Sequence, residues 1–272
     1  DLLFVCVFRL DVNGAAWATF ISQAISCILT VIVLLRKLKV MPCEGKPKIF
    51  DSRLLKELTV TSVPIILQQS FVSVGNFFVS KRINLIGEDA TTGFTTAFKL
   101  ICMSNMGVSA MTNGLANFAS QNKAAGQFAR IKTGCLAVLC YTLITSVAFL
   151  AVFVSCPQFF TNLFIQQEKL TPEAMGYSVQ YLTVVSCFLP VVGAKIVFDG
   201  CVRGSGGNVG FTVSTFADLA LRVILVYVLT GAGWGFGGGC WAWAIGWCIS
   251  TCIAFIFLLV EFAKFRKAGG AK

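Results

Sequence analysis

The chain is 272 residues long, 56% hydrophobic and only 12% charged, with a formal net charge of +10, twelve cysteines and no histidine. The missing histidine and the lack of any C-x-x-C pair leave no basis for zinc-ribbon, haem-attachment or histidine-box chemistry, so most cysteines read as small apolar packing residues. The excess of Lys and Arg is spread between apolar runs instead of being gathered on one soluble domain, which argues against a nucleic-acid interface.

Apolar stretches at about 13–35, 58–80, 91–120, 133–155, 177–200, 208–230 and 238–262 organise the sequence. Each has the ~20 residues that a helix needs to cross a hydrocarbon core ~30 Å thick. Unpaired backbone groups are not tolerated in lipid, and the runs are apolar on nearly every face. Spanning helices are therefore expected, not the short alternating strands of a β-barrel. The predicted fold is an all-α polytopic membrane protein.

The chain opens on the apolar tail Asp1-Leu2-Leu3-Phe4-Val5-Cys6-Val7-Phe8, without an initiator Met or a signal peptide. That tail reads as the end of a further helix, so a fragment of a longer protein is expected. After the first span comes a basic segment, 36–57, in which Pro42, Gly45 and Pro47 break helix. Asp51 or Ser52 is placed to cap a short amphipathic helix leading into span two.

Polar residues at lipid depth cost several kcal/mol unless they meet a partner or water, which makes them the first candidates for function. Span two carries Gln68, Gln69, Ser73 and Asn76 after Pro64. Gln69, Ser73 and Asn76 share one helical face, suited to a water-lined wall. Span three carries Lys99, Asn105, Thr112 and Asn113. Span five places Lys195 four residues before Asp199, in a stretch loosened by Pro190, Gly193 and Gly200, as binding helices of transporters often are. Arg203-Gly204-Ser205-Gly206-Gly207 then reads as a tight turn, lacking the spacing of a phosphate-binding loop. Span six carries Asp218 and Arg222, again four apart; with no other carboxylate near them in the sequence they read as a structural pair. The Gly-rich segment 231–239 is expected to be a turn before span seven, and 263–272 a basic tail.

Lys and Arg crowd the gaps after spans one, three, five and seven, while the alternate gaps hold only Arg9, Lys81, Arg82 and Lys169. The positive-inside rule makes the first set cytoplasmic, so the C-terminus faces the cytoplasm of a plasma (inner) membrane protein surrounded by lipid. Sliding residues 14–35 forward by 224 positions gives nine identities in twenty-two, including Gly14 with Gly238, Trp17 with Trp241 and Ser26 with Ser250. Spans one and seven then look like equivalent helices of two six-helix repeats, a known transporter plan. Residues 1–35 would end a first lobe, 36–57 link the lobes, and 58–262 form the second.

Val12-Asn13-Gly14-Ala15-Ala16-Trp17-Ala18-Thr19, Gln121-Asn122-Lys123-Ala124-Ala125-Gly126, Arg203-Gly204-Ser205-Gly206 and Gly238-Gly239-Cys240-Trp241-Ala242-Trp243 occur in that order. The series resembles the sixth, eighth, tenth and twelfth helix regions of multidrug and toxic compound extrusion (MATE) transporters. The resemblance implies a two-lobed, twelve-helix secondary antiporter exporting organic cations or drugs against Na⁺ or H⁺, and no enzyme, metal, cofactor or obligate protein partner. Some members hold the ion with Glu on the seventh helix and Asp on the tenth. Gln68 and Gln69 fall near the first of these positions, and Asp199 lies closer to the Arg203 turn than the second. The candidate pathway is accordingly Gln68, Gln69, Ser73, Asn76, Asn113, Lys195 and Asp199. The alternative is a lipid-linked saccharide or peptidoglycan-precursor flippase of the same superfamily, which would want a cationic cavity and could draw on buried Lys99 and Lys195. A membrane-embedded enzyme would need clustered acids, a His or a nucleophile with its base, and the sequence offers none.

Overall fold

The computed structural model describes residue 4 and residues 11–40, 50–165 and 171–269. The described residues contain no strand. Among the described residues nine α-helices follow in order: α1 (Asp11–Val40), α2 (Ser52–Asn84), α3 (Glu88–Ala124), α4 (Phe128–Ser155), α5 (Pro157–Phe164), α6 (Pro172–Ser186), α7 (Leu189–Gly204), α8 (Asn208–Leu229) and α9 (Gly235–Gly269). A π-helical turn, Thr230–Trp234, joins the last two. The chain divides into two compact units, Asp1–Glu57 and Leu58–Lys272.

The first unit holds α1, whose Trp17, Phe20 and Leu29 are each 58–65% exposed. Apolar side chains exposed all around a helix suit contact with lipid. Asp51, not Ser52, caps α2: its Oδ1 accepts from the N–H groups of Arg53 at 2.9 Å and Leu54 at 3.4 Å. The separate short helix expected there does not form, because α2 runs unbroken from Ser52 to Asn84.

In the second unit α3 packs on α4, α6 and α7, α7 packs on α9, and α8 and α9 form a tight hairpin. The single fifth span expected at 177–200 is two helices, α6 and α7, bent by 56°. Pro190 occupies the first turn of α7, where a missing N–H is harmless, so the bend coincides with a fresh helix start. A short amphipathic helix, α5, also starts at a proline, Pro157, and no expectation had covered it. The Gly-rich turn contracts to the stretch around Gly233 and Gly235, which adopt φ of +90° and +51°. Glycines 237–239 are helical instead. A Cβ on Gly238 would stand 2.8 Å from the Leu229 carbonyl carbon, so its hydrogen lets the hairpin close.

By length and composition Ala16–Val40, Phe128–Ser155 and Asn208–Phe265 can cross a membrane, the last carrying both α8 and α9; α6 with α7 makes a fourth, bent span. At 37 residues α3 is long enough, but it does not share that apolarity. The expectation of runs apolar on nearly every face fails there because α3 turns Asn105, Ser109 and Asn113 toward one cleft.

Two apolar clusters fill the unit. One gathers Phe94, Leu100, Tyr181, Leu189, Val226 and Trp243; the other gathers Leu115, Ile131, Val197, Val202, Leu258 and Phe265. Along α3, α7 and α9 the buried polar residues Thr112, Lys195 and Ser250 fall between the two, with Asp199 one turn further along α7. Lipid is as apolar as leucine, so close packing rather than burial from water holds such helices together. Gly200 and Gly204 of α7 supply it. A Cβ on Gly200 would lie 2.0 Å from Thr112 Cγ2, and one on Gly204 would lie 2.3 Å from the Ala116 carbonyl oxygen.

Candidate functional site

The polar layer is built on α7 and α8, each carrying an acid and a base one turn apart. Lys195 Nζ donates to Asp199 Oδ2 at 2.7 Å, with the two residues 7% and 6% exposed. Asp199 Oδ1 is buried without a hydrogen-bond partner among the described residues. The hydroxyl of Ser214, from α8, lies near the carboxylate without making a geometric hydrogen bond. On α8, Arg222 Nη2 donates to Asp218 Oδ2, and Ser250 of α9 donates to the other carboxylate oxygen at 3.4 Å. Arg222 Nη1 also reaches Asn76 Oδ1 of α2 at 3.4 Å, and its guanidinium carbon lies 3.9 Å from the Trp243 ring centroid. Two buried charges at this depth persist because each has its opposite on the same helix. Asp199 and Asp218 are near enough for electrostatic interaction, so the second pair is not remote from other carboxylates as the sequence had implied.

Two cavities open onto this layer. One, of about 530 Å³, is lined by Asn76, Phe98, Asn105, Arg222, Trp243 and Trp247 among others. The other, of about 320 Å³, is lined by Thr112, Lys195, Asp199, Arg203, Phe211 and Thr215 among others. They share Ser109 and Asn113 of α3, so they form one cleft. Arg203 Nη2 donates to Asn113 Oδ1 at 2.8 Å, and its guanidinium lies 5.4 Å from the Phe211 ring centroid.

Of the sequence candidates, Asn76, Asn113, Lys195 and Asp199 therefore meet in one place, and Arg222 of the structural pair joins them. Ser73 is exposed and outside the lining of either cavity. The side chains of Gln68 and Gln69 lie outside the described residues. Lys99, expected to be buried, is exposed; it borders a smaller cavity of about 150 Å³ with Asn76 and Trp243, its ammonium kept near open space where desolvation is cheap. Sequence reading missed Ser109, Trp243, Trp247 and the inward role of Arg203. The signal for Ser109 was present: Asn105, Ser109 and Asn113 recur at four-residue spacing on one face of α3. Nothing in the sequence pairs Trp243 with Arg222, which are twenty-one positions apart and meet only through the hairpin.

The MatE family model matches residues 64–228. Among curated proteins, the chain is 26% identical over 266 residues to the probable multidrug resistance protein YpnP of Bacillus subtilis, covering 94% of this chain and 56% of that protein. It is 20% identical over 263 residues to the multidrug export protein MepA of Staphylococcus haemolyticus, covering 97% of this chain and 56% of that protein. The chain thus spans about half the length of the curated relatives it matches. Among solved structures, an outward-facing multidrug resistance MATE family transporter of the MOP superfamily superposes with a TM-score of 0.85 at 17% identity, covering 98% of this chain and 59% of that one. A point mutant of the Vibrio cholerae MATE transporter VcmN gives 0.81 at 17% identity, covering 100% of this chain and 59% of that one.

Proposed function

The chain belongs to the MatE family, and we propose that it acts as a secondary active antiporter of a plasma membrane, exporting small organic compounds in exchange for Na⁺ or H⁺. The observation that carries the reading is the cleft: an aromatic wall of Phe98, Trp243 and Trp247 faces amides and buried charges at the level of the polar layer. Such a site holds a flat, amphipathic molecule without requiring a single shape, as drug export demands. Asp199 is the proposed coupling carboxylate, since one of its oxygens is bound by Lys195 while the other is buried and unpartnered. Organic cations are the substrates that the family resemblance implies. For them the cleft offers aromatic faces, while its buried carboxylate, Asp199, is already paired with Lys195. In this reading residues 36–57 link two lobes, 58–262 form the second, the tail 263–272 is cytoplasmic, and alternating access moves one lobe against the other.

One observation favours a second reading. Basic groups outnumber acidic ones in the lining, with Lys99, Lys195, Arg203 and Arg222 against Asp199, which would suit a flippase of a pyrophosphate-linked saccharide. Purified protein in liposomes separates the two. Efflux of a fluorescent drug that requires an imposed Na⁺ or H⁺ gradient supports the antiporter. Gradient-independent exposure of a labelled lipid-linked saccharide, without drug flux, would replace it with the flippase.

A further inference from the structure

The start of one spanning stretch and the end of another meet at a basic cavity. α4 begins at Phe128, the apolar stretch of α8 and α9 ends at Phe265, and these two rings stack with centroids 4.8 Å apart. The cavity beside them, of about 490 Å³, is lined by Gln127, Phe128, Arg130, Lys132 and Phe265 among others. It therefore sits at the edge of the hydrocarbon layer, where lipid headgroups lie. Its two cations are oriented by neutral groups. Arg130 Nη1 donates to Gln127 Oε1 at 2.8 Å, with its guanidinium 5.9 Å from the Phe118 ring centroid, and Lys132 Nζ lies 5.6 Å from that of Phe262. Neither has a carboxylate partner among the described residues. The sequence holds no Asp or Glu between Asp89 and Glu168, and Glu261, the acid of α9, is bonded to Lys264 at 2.6 Å. From Lys132 an exposed apolar track continues along the same face of α4 through Leu136, Leu143 and Val147.

We propose that this cavity seats the headgroup phosphodiester of an anionic phospholipid, held by Arg130 and Lys132, with an acyl chain lying along Leu136, Leu143 and Val147. A guanidinium matches phosphate oxygens through its planar fork, and the Lys ammonium adds a point charge. Basic pockets between spanning helices on the cytoplasmic side suit such headgroups. A zwitterionic lipid brings the same phosphate together with a choline cation, which these two side chains repel. The apolar track favours a membrane lipid over free phosphate: a headgroup tethered to chains in that layer is already concentrated at the cavity, whereas a free anion must be drawn from water. The inference rests on the membrane placement of α4 and α9, not on what the protein transports.

Native mass spectrometry of the purified full chain, released from detergent micelles and titrated with phosphatidylglycerol or with phosphatidylcholine of the same acyl chains, counts the lipid bound and tests this. Phosphatidylglycerol should bind about tenfold more tightly than phosphatidylcholine, and inorganic phosphate at the same concentration should not displace it. Arg130→Gln/Lys132→Gln should bring the two lipids within about twofold of each other. Arg36→Gln/Lys37→Gln, which removes the same charge from the basic end of α1, should leave the preference at about tenfold. Thermal melting shows which variants are folded. If the first double variant is not, Arg130→Gln and Lys132→Gln taken singly carry the comparison, each lowering the preference about threefold. Equal binding of the two lipids by the native protein overturns the proposal outright. So does a preference unchanged in the folded Arg130 and Lys132 variants, or one lowered as much by Arg36→Gln/Lys37→Gln, which would mean diffuse attraction to a charged chain. Displacement by inorganic phosphate would make the cavity a free-anion site and overturn the lipid assignment. Because neither gradient nor drug is present, failure here leaves the antiporter reading standing, and failure of flux in liposomes leaves the lipid site standing.

Discussion

Arg222→Met removes the base of the α8 pair and leaves Asp218, 8% exposed, with an uncompensated charge. Breaking one side of a buried ion pair costs about 3–5 kcal/mol. The same change strips the cation from the Trp243 face, a contact worth up to about 2 kcal/mol when desolvated. Asp218→Asn leaves Arg222 charged and paired only with Asn76 at 3.4 Å, again about 3–5 kcal/mol. Removing both charges together leaves no unpaired ion, so the double variant should lose little beyond the aromatic contact, about 2 kcal/mol. The two single losses would therefore exceed the double loss by about 6 kcal/mol or more, a coupling well outside the ~0.5 kcal/mol expected of independent sites. Equilibrium unfolding in mixed detergent micelles of all four proteins measures it. A double variant that loses the sum of the two singles would refute the idea that these groups neutralise each other.

Asp199→Asn should abolish gradient-driven drug flux per molecule in liposomes while Asp218→Asn retains it, and equal flux in the two would count against Asp199 as the coupling group. Gly204→Ala drives a Cβ to 2.3 Å from the Ala116 carbonyl oxygen, so it should cost about 1–3 kcal/mol by forcing backbone apart. Gly107→Ala meets nothing within 4 Å on α3 and should instead be neutral or stabilising by about 0.5–1 kcal/mol, as comparative melting of the two would reveal. On a background without native cysteines, Cys at position 158 should react with an impermeant reagent added outside intact cells and Cys at position 127 should not. Both positions are exposed, so the reverse pattern would invert the proposed orientation.

What the amino-acid sequence determined by itself is the class of molecule and the location of its unusual residues. Runs of about twenty apolar residues admit one solution in lipid, a helix, because every backbone group must be paired within the segment. The i, i+4 spacing of Lys195 with Asp199 and of Asp218 with Arg222 likewise makes each pair on its own helix, and both form as spaced. What a linear pattern cannot carry is which faces meet. The bend between α6 and α7, the hairpin that lays Trp243 over Arg222, and the approach of α3 that puts Asn113 on Arg203 depend on packing between distant segments. The same limit misread α3: apolar length announces a helix, but whether its polar residues face lipid or a cleft is decided by neighbours. Lys99 came out exposed and Arg222 lined the cavity for that reason. Secondary structure here follows from local hydrogen bonding, whereas the site is made by contacts such as Gly200 on Thr112 and Gly204 on Ala116, where the missing Cβ sets how near two helices can stand.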